Sequence, residues 1–140
     1  MAALELYRST FRPSPVLDAP YAMVCASVVL ADTDERAREL ALPGGLSFLR
    51  LRSGRPGLLP SEQEARAYDY SPQEQAFVQD RIDQQAVGGP AKVTRLLEEL
   101  VAATAADELM VTTMVHDPAD RLRSFRLLAE LRLPGVAAVA

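Results

Sequence analysis

Hydrophobic residues occur in two different patterns along this chain. Between residues 84 and 131 a short apolar run is followed by an amphipathic segment, and the same pair of segments then repeats. Short apolar runs are typical of buried strands, whereas apolar residues spaced three and four apart lie on one face of a helix. The repeated pair of strand and helix predicts a parallel α/β fold.

The helix after the first of these runs has the clearest pattern. Its predicted inward face consists of Val93, Leu96, Leu97, Leu100, Val101 and Thr104. Gly88 and Gly89 precede the helix and allow a tight turn, and Pro90 suits the first helical position because no N–H group is needed there. A glycine is expected at the end of the helix, but alanine stands at both 105 and 106.

The second apolar run covers residues 109–115 and has almost no polar residue except Thr112 and Thr113, so we expect a strand that is buried on both faces. Asp117 is a predicted N-cap of the following helix, with Pro118 at its first position. The predicted inward stripe of this helix consists of Leu122, Phe125, Leu128 and Ala129. A Pro-Gly pair at 134–135 is predicted to end it, and the tail that follows is expected to fray.

The first half of the chain contains one more strand and a long excursion. Residues 22–30 are continuously apolar, which predicts a buried strand parallel to the later two. Asp32 and Glu35 fit a capping box for a helix that Pro43 and the glycines after it are expected to end. From residue 44 to 83 the chain makes an excursion, in which Ser61 and Ser71 are predicted to cap two helices.

These elements predict one domain with five parts. Residues 1–19 form a helix end and a linker, residues 20–43 a strand and a helix, residues 44–83 the excursion, residues 84–133 two further strand–helix units, and residues 134–140 a tail. Three parallel strands leave two unpaired edges, and a (β/α)8 barrel needs eight such units in roughly 250 residues. The predicted fold class is therefore α/β, as the C-terminal three βα units of a partial TIM barrel.

Composition narrows the classes of partner. The formal net charge is −4 and acidic and basic residues are mixed throughout, so no nucleic-acid surface is indicated. Cys25 is the only cysteine, which excludes an internal disulfide and a cysteine-based zinc site, and no metal site is predicted. The longest apolar run, residues 21–31, is too short to span a bilayer. We therefore expect no membrane partner and a cytoplasmic location.

Several short segments resemble one enzyme family, and they occur in the family's order along nearly the whole chain. They are Tyr7-Arg8, Phe11-Arg12-Pro13-Ser14, Pro20-Tyr21-Ala22-Met23-Val24, Ala31-Asp32-Thr33-Asp34, Val87-Gly88-Gly89-Pro90, Ala106-Asp107-Glu108-Leu109-Met110-Val111 and Arg121-Leu122-Arg123-Ser124-Phe125. In this order they resemble the C-terminal part of the luciferase-like flavin-dependent monooxygenases.

The resemblance implies a TIM barrel that uses reduced flavin, in the form of FMN, and molecular oxygen to oxidise a small organic substrate. A related branch of the family uses a deazaflavin. The family places most of its flavin-holding residues on strands that precede everything in this chain. An alternative therefore stays open, in which the chain is a catalytically inactive α/β module that forms a homodimer or pairs with a partner that supplies the missing half of the barrel.

Four positions at the ends of the predicted strands, together with His116, are the candidate site residues. His116 follows the last strand at the end of the barrel where active sites are built, and it is the candidate catalytic residue. Thr113 and Met114 are candidates to line a flavin or substrate pocket. Gly88 and Gly89 are candidates to hold a phosphate at the N-terminus of the following helix, although no GxGxxG motif is present. Each candidate also has a structural alternative. His116 can be a solvated residue at a helix entrance, Thr113 and Met114 can pack in the core, and Gly88 and Gly89 can form a tight turn only.

The excursion supplies further candidates. Arg50, Arg52 and Arg55 form a basic cluster that can contact an anionic substrate or cofactor, or face solvent. Tyr68 and Tyr70 can cover an apolar substrate or pack the excursion onto the strands.

Overall fold

The structure, a computed structural model, describes residues 2–132. In chain order its elements are α1 (Ala2–Thr10), β1 (Met23–Leu30), α2 (Asp34–Arg52), α3 (Glu62–Ala67), α4 (Pro72–Asp83), β2 (Ala86–Gly88), α5 (Pro90–Thr104), β3 (Glu108–Thr112) and α6 (Pro118–Glu130). The predicted Pro-Gly helix stop and the tail lie outside the described residues. Among the described helices, none is long and apolar enough to cross a bilayer.

The three strands form one parallel sheet in the order β2-β1-β3. β3 pairs with the first part of β1, from Met23 opposite Glu108 to Ser27 opposite Thr112. β2 pairs with the last three residues of β1, and Leu30 is opposite Gly88. The prediction of three parallel strands, each followed by a helix, is therefore confirmed.

Successive side chains of β1 pack into two different clusters because they point to opposite faces of the sheet. Val28 and Leu30 lie in a cluster with buried residues of α5 and α6, including Val93 and Leu127. Val29 lies in the other cluster, which includes buried residues of α2, α3 and α4. The helices α5 and α6 thus cover one face of the sheet. The helices α2, α3 and α4 pack on the other face.

Helix α2 does not end at Pro43, as the sequence predicts, but continues through it to Arg52. Tertiary packing explains the difference. Leu46 and Leu49 are buried in the second half of the helix. A Cβ atom at Gly45 would lie 2.7 Å from Cγ1 of Val78, so glycine allows close approach between α2 and α4. The predicted helix stop is wrong because burial against α4 outweighs the local signal.

The local capping signals give a better account of the other helices. Ser61 and Ser71 both form complete capping boxes with the glutamates three residues later. Asp117 accepts hydrogen bonds from the backbone N–H groups of Ala119 and Asp120. The exception is α2, whose N-cap is Thr33 rather than the predicted Asp32.

The predicted burial of β3 and α6 is partly wrong. Leu122 is 50% exposed and Phe125 is 41% exposed, whereas Ser124 and Leu127 are buried on α6 instead. On the sheet, Met110 of β3 is exposed on the face opposite α5. Within the described residues no strand pairs with the outer edge of β3, which leaves that edge of the sheet open.

The missing glycine after α5 leads to a stability prediction. Ala105 adopts a left-handed conformation, with φ 46°, where a Cβ atom is unfavourable. We expect Ala105→Gly to raise the free energy of unfolding by about 0.5–1 kcal/mol, because glycine relieves this strain at the cost of some chain entropy. Thermal unfolding followed by circular dichroism measures the change. A lower midpoint for Ala105→Gly than for the unaltered chain would contradict it.

Candidate functional site

The C-terminal ends of the strands meet at one edge of the sheet, where parallel α/β folds bind their ligands. Leu30 pairs with Gly88 at this edge. The extended residues 113–115 continue from β3, so they lead to the same edge, and the start of α2 lies beside it. This edge is the candidate functional site.

His116 is exposed and holds the excursion to the end of β3. Its Nδ1 atom lies 3.1 Å from the carbonyl oxygen of Leu59. A carbonyl oxygen only accepts hydrogen bonds, so Nδ1 carries the proton in this contact. In the neutral ring Nε2 is then the atom with a free lone pair. The contact therefore fixes the imidazole and makes Nε2 available as a proton acceptor.

Glu64 lies near this imidazole. The backbone N–H group of Ser61 donates to its carboxylate at 2.7 Å, and this contact is the main reason why the pKa of Glu64 is lowered. The charge of Arg50 lowers it further, and a protonated His116 acts in the same direction. The structure thus brings Arg50, Glu64 and His116 into one neighbourhood, although they come from three separate segments.

Thr113 is half-buried and carries the clearest unsatisfied group at this edge. Its Oγ1 atom is buried, yet it has no hydrogen-bond partner among the described residues. A buried hydroxyl without a partner is costly, because it has lost its bonds to water without gaining others. Thr113 therefore has one hydrogen-bonding atom whose partner is not among the described residues.

Met114 is exposed beside Thr113 and approaches α2. A Cβ atom at Gly44 would lie 3.6 Å from both Cβ and the carbonyl oxygen of Met114, which is ordinary van der Waals contact. The thioether side chain is flexible and polarisable, properties that suit contact with a planar ring. Thr113 and Met114 thus follow directly after β3, which ends at Thr112 and not at residue 115 as the sequence predicts.

Gly88 and Gly89 form the turn into α5, but their polar contacts are already made within the chain. The backbone N–H group of Gly89 donates to Oδ1 of Asp34 at 2.6 Å. A Cβ atom at Gly88 would lie 2.7 Å from Cδ of Lys92 and 2.8 Å from the same Asp34 oxygen, so only glycine fits without movement. A carboxylate thus lies at the helix N-terminus where a phosphate was predicted.

Two sets of ion pairs surround this edge. Arg123 of α6 donates to Asp32 at 2.6 Å, and this bond lowers the pKa of the Asp32 carboxyl group. Arg36 of α2 forms ion pairs with Glu39, Glu62 and Asp120, which belong to α2, α3 and α6. The hydrogen bonds to Glu62 contribute most to the raised pKa of the Arg36 guanidinium group. The network joins three helices around the strand ends.

The structure separates the remaining sequence candidates. Arg52 lies over the ring of Phe77, on the side of α2 that faces α4. Tyr68 and Tyr70 have ring centroids 4.7 Å apart and pack against the core cluster of the excursion. Tyr70 also donates to the carbonyl oxygen of Ala65, so its hydroxyl group is used within the fold.

Sequence reasoning missed Leu59 and Asp34 as parts of this edge. Leu59 is 57 positions from His116, and Asp34 is 55 positions from Gly89. Both contacts join the strand ends to other segments, and neither leaves a local pattern. The one available signal for Asp34 was its place in the acidic first turn of α2, a few residues after the end of β1.

Comparisons with known proteins agree with this fold. No protein-family model matches the chain. It is 44% identical over 129 residues to the Bacillus subtilis protein named uncharacterized protein YvbT, covering 92% of this chain and 38% of that protein. It is 39% identical over 130 residues to a protein of Escherichia coli K12 named luciferase-like monooxygenase, covering 93% and 39%.

A solved structure, that of apo-MsnO8, superposes on the chain with a TM-score of 0.80 at 34% identity, and the match covers 92% of this chain and 40% of that one. The chain spans about two fifths of the length of the curated relatives it matches. The identities, the coverage of this chain and the shared fold agree, and the chain belongs to the luciferase-like monooxygenase family.

Proposed function

We propose that this chain supplies one side of a flavin-dependent monooxygenase site, in which reduced FMN and molecular oxygen oxidise a small organic substrate. The name of the Escherichia coli relative supports the reaction class. When bound, the reduced flavin supplies the electrons for the oxidation. A deazaflavin is the alternative cofactor in this proposal, because the same strand-end residues offer contacts to either ring system.

The buried, unpartnered hydroxyl group of Thr113 is the observation that carries the proposal. Flavins have carbonyl and nitrogen atoms along one ring edge, and a single hydroxyl group can donate to either kind of atom. Met114 adds an apolar, polarisable contact for the ring beside it. These two residues would hold the ring at the end of β3.

His116 is the proposed catalytic residue. Leu59 holds its Nδ1 atom, so Nε2 is the atom that accepts a proton from the substrate. The contact also keeps the excursion next to the strand ends, where it excludes water from part of the site. His116 thus has two proposed roles, which are proton transfer at Nε2 and orientation of the excursion through Nδ1.

Gly88 and Gly89 remain candidates to bind the cofactor phosphate, provided that the side chain of Asp34 can move. The Asp34 carboxylate already accepts the Gly89 N–H group, so a phosphate there requires Asp34 to move away. A phosphate and a carboxylate compete for the same helix N-terminus because both are anions. Asp34 is consequently the residue that controls access to this position.

The proposal predicts that the chain binds FMN and that Thr113→Val weakens this binding by about three- to tenfold, which is the range for loss of one hydrogen bond. Valine keeps the shape of threonine but lacks the hydroxyl group. Quenching of FMN fluorescence during titration measures the dissociation constant. Thr112→Val, on the neighbouring exposed position, is the matched control and is expected to leave the constant unchanged.

A second function, pairing with a partner, has its own observation. β2 covers only the last three residues of β1, so residues 23–27 have no strand beside them on that edge within the described chain. A groove of about 270 Å³ lies along this edge, lined by Cys25, Ser27, Gln85, Leu96 and other residues. An open strand edge beside apolar side chains is suited to accept another strand.

In this second candidate the chain is an α/β module that forms a homodimer or joins a polypeptide that supplies further strands. Light scattering during size-exclusion chromatography, with and without FMN, separates the two functions. A monomer that retains flavin absorbance supports the enzyme site. A dimer without flavin supports the module, and an apo monomer that neither binds FMN nor self-associates contradicts both the flavin site and the homodimer.

A further inference from the structure

A second groove lies between helices α2 and α4. Its volume is about 550 Å³, and its lining includes Phe48, Leu51 and Arg52 of α2 with Phe77, Asp80 and Arg81 of α4. Leu51 is 57% exposed, so the groove presents an apolar side chain directly to solvent. The groove therefore combines apolar surface with charged groups in one concave place.

Two guanidinium groups are stacked on the aromatic rings of the opposite helix. The guanidinium carbon of Arg81 lies 4.0 Å from the centroid of the Phe48 ring, and that of Arg52 lies 5.3 Å from the centroid of the Phe77 ring. Stacking fixes the planar groups and leaves their N–H edges free to donate. The fold thus presents two oriented guanidinium groups. Their side chains are already ordered in the folded chain, so a ligand does not have to order them.

The positive charge of these groups is not neutralised within the described residues. Neither Arg52 nor Arg81 belongs to an ion pair there, whereas five other arginines do. The Nε atom of Arg81 is buried and has no hydrogen-bond partner in the described chain. Asp80, the acidic residue in the groove lining, accepts from the side chain of Gln84 at 2.7 Å.

We propose that this groove binds a small organic anion that has an apolar ring or chain, with an aryl carboxylate as the simplest example. The carboxylate would accept from the Arg52 and Arg81 guanidinium groups, which suit planar anions. The apolar part would contact Leu51 and the ring edges of Phe48 and Phe77. The charge complementarity is local, because the chain as a whole carries a net negative charge.

Calorimetric titration at low ionic strength with 2-naphthoate, 2-naphthalenemethanol and acetate tests the proposal. We expect one naphthoate to bind per chain at least about tenfold more tightly than the alcohol, which cannot form a charge-assisted hydrogen bond, or acetate, which has no apolar ring. Equal affinity for the acid and the alcohol would overturn the proposal, because the groove would then recognise only apolar surface.

Variants locate the binding. The double variant Arg52→Gln with Arg81→Gln is expected to weaken naphthoate binding about tenfold or more. The control is the double variant Arg95→Gln with Arg126→Gln, which removes two charges from exposed positions on α5 and α6 and is expected to bind as the unaltered chain does. Equal losses in both double variants would mean that only net charge matters, and would overturn the site.

A measurement on the unaltered chain locates the bound anion without any substitution, so it remains valid if a variant does not fold. Naphthoate is added to ¹⁵N-labelled protein, and the amide chemical shifts are followed. Changes confined to residues 48–52 and 77–84 support the groove. Changes at the strand ends, near residues 113–116, would assign the anion to the flavin-site edge and overturn the proposal.

Discussion

Leu46→Ala is expected to lower the free energy of unfolding by about 2–5 kcal/mol, the range for removing a leucine from a well-packed core. Leu46 is 0% exposed and belongs to the cluster that joins α2 and α4 to Val29 and Val87 of the sheet. Truncation removes buried methyl groups and leaves a cavity, because two helices and a strand cannot all close on it. Urea unfolding followed by circular dichroism measures the loss.

The control for this prediction is Leu58→Ala in the same excursion. Leu58 is 92% exposed, so the identical chemical change there is expected to alter the unfolding free energy by less than about 0.5 kcal/mol. The comparison tests whether α2 continues beyond Pro43 and packs in the core. If Leu46→Ala were as mild as Leu58→Ala, the helix beyond Pro43 would not be packed in the core.

Pro43 shows why the sequence misplaced the end of α2. A proline followed by two glycines is a strong local stop signal, since proline lacks an N–H group and glycine is flexible. The structure uses the same residues for another purpose, because Gly44 lies against Met114 and Gly45 against Val78. Their small size is required by neighbours that are 33 or more positions away. A single-sequence pattern contains no information about these neighbours.

Helix starts could be predicted because their determinants are local. Ser61, Ser71 and Asp117 each form their capping bonds within three residues. The parallel strands could also be predicted, since continuous apolar runs separated by helices permit few other arrangements. The strand order could not, because it depends on which edge of β1 each later strand meets.

The candidate site could be predicted only in part. The positions of Thr113, Met114 and His116 follow directly from the end of β3, since consecutive residues remain together in space. The contacts of His116 with Leu59 and of Gly89 with Asp34 did not follow, because each joins segments separated by more than fifty positions. Hydrogen-bond pairing across such distances depends on the geometry of the whole fold.

The exposed apolar residues of α6 and the sheet have a common interpretation. A hydrophobic pattern identifies which positions are apolar but not which of them this chain can cover by itself. Leu122 and Phe125 fit the helical pattern and remain exposed, as does Met110 on the sheet. An exposed apolar surface of this kind is suited to pack against a polypeptide outside the described residues. This interpretation agrees with the pairing function proposed above.

The buried serine of α6 gives the second large prediction. Ser124 is 1% exposed, and its Oγ atom accepts a hydrogen bond of 2.9 Å from the backbone N–H group of Leu30. Leu30 is the last residue of β1, beyond the part of that strand that pairs with β3, so this N–H group has no strand partner on that side. Ser124→Ala is expected to cost about 1–2 kcal/mol, because the loss of a buried hydrogen bond outweighs the better helix propensity of alanine.

Ser9→Ala is the matched control for this prediction. Ser9 also lies in a helix, but it is exposed, so its replacement by alanine does not leave a buried N–H group without a partner. Unfolding in urea gives the difference between the two variants. Hydrogen exchange at the Leu30 amide adds a specific readout, since Ser124→Ala is expected to accelerate it and Ser9→Ala is not. An unchanged exchange rate at Leu30 in Ser124→Ala would mean that Ser124 stabilises α6 alone and does not anchor it to the sheet.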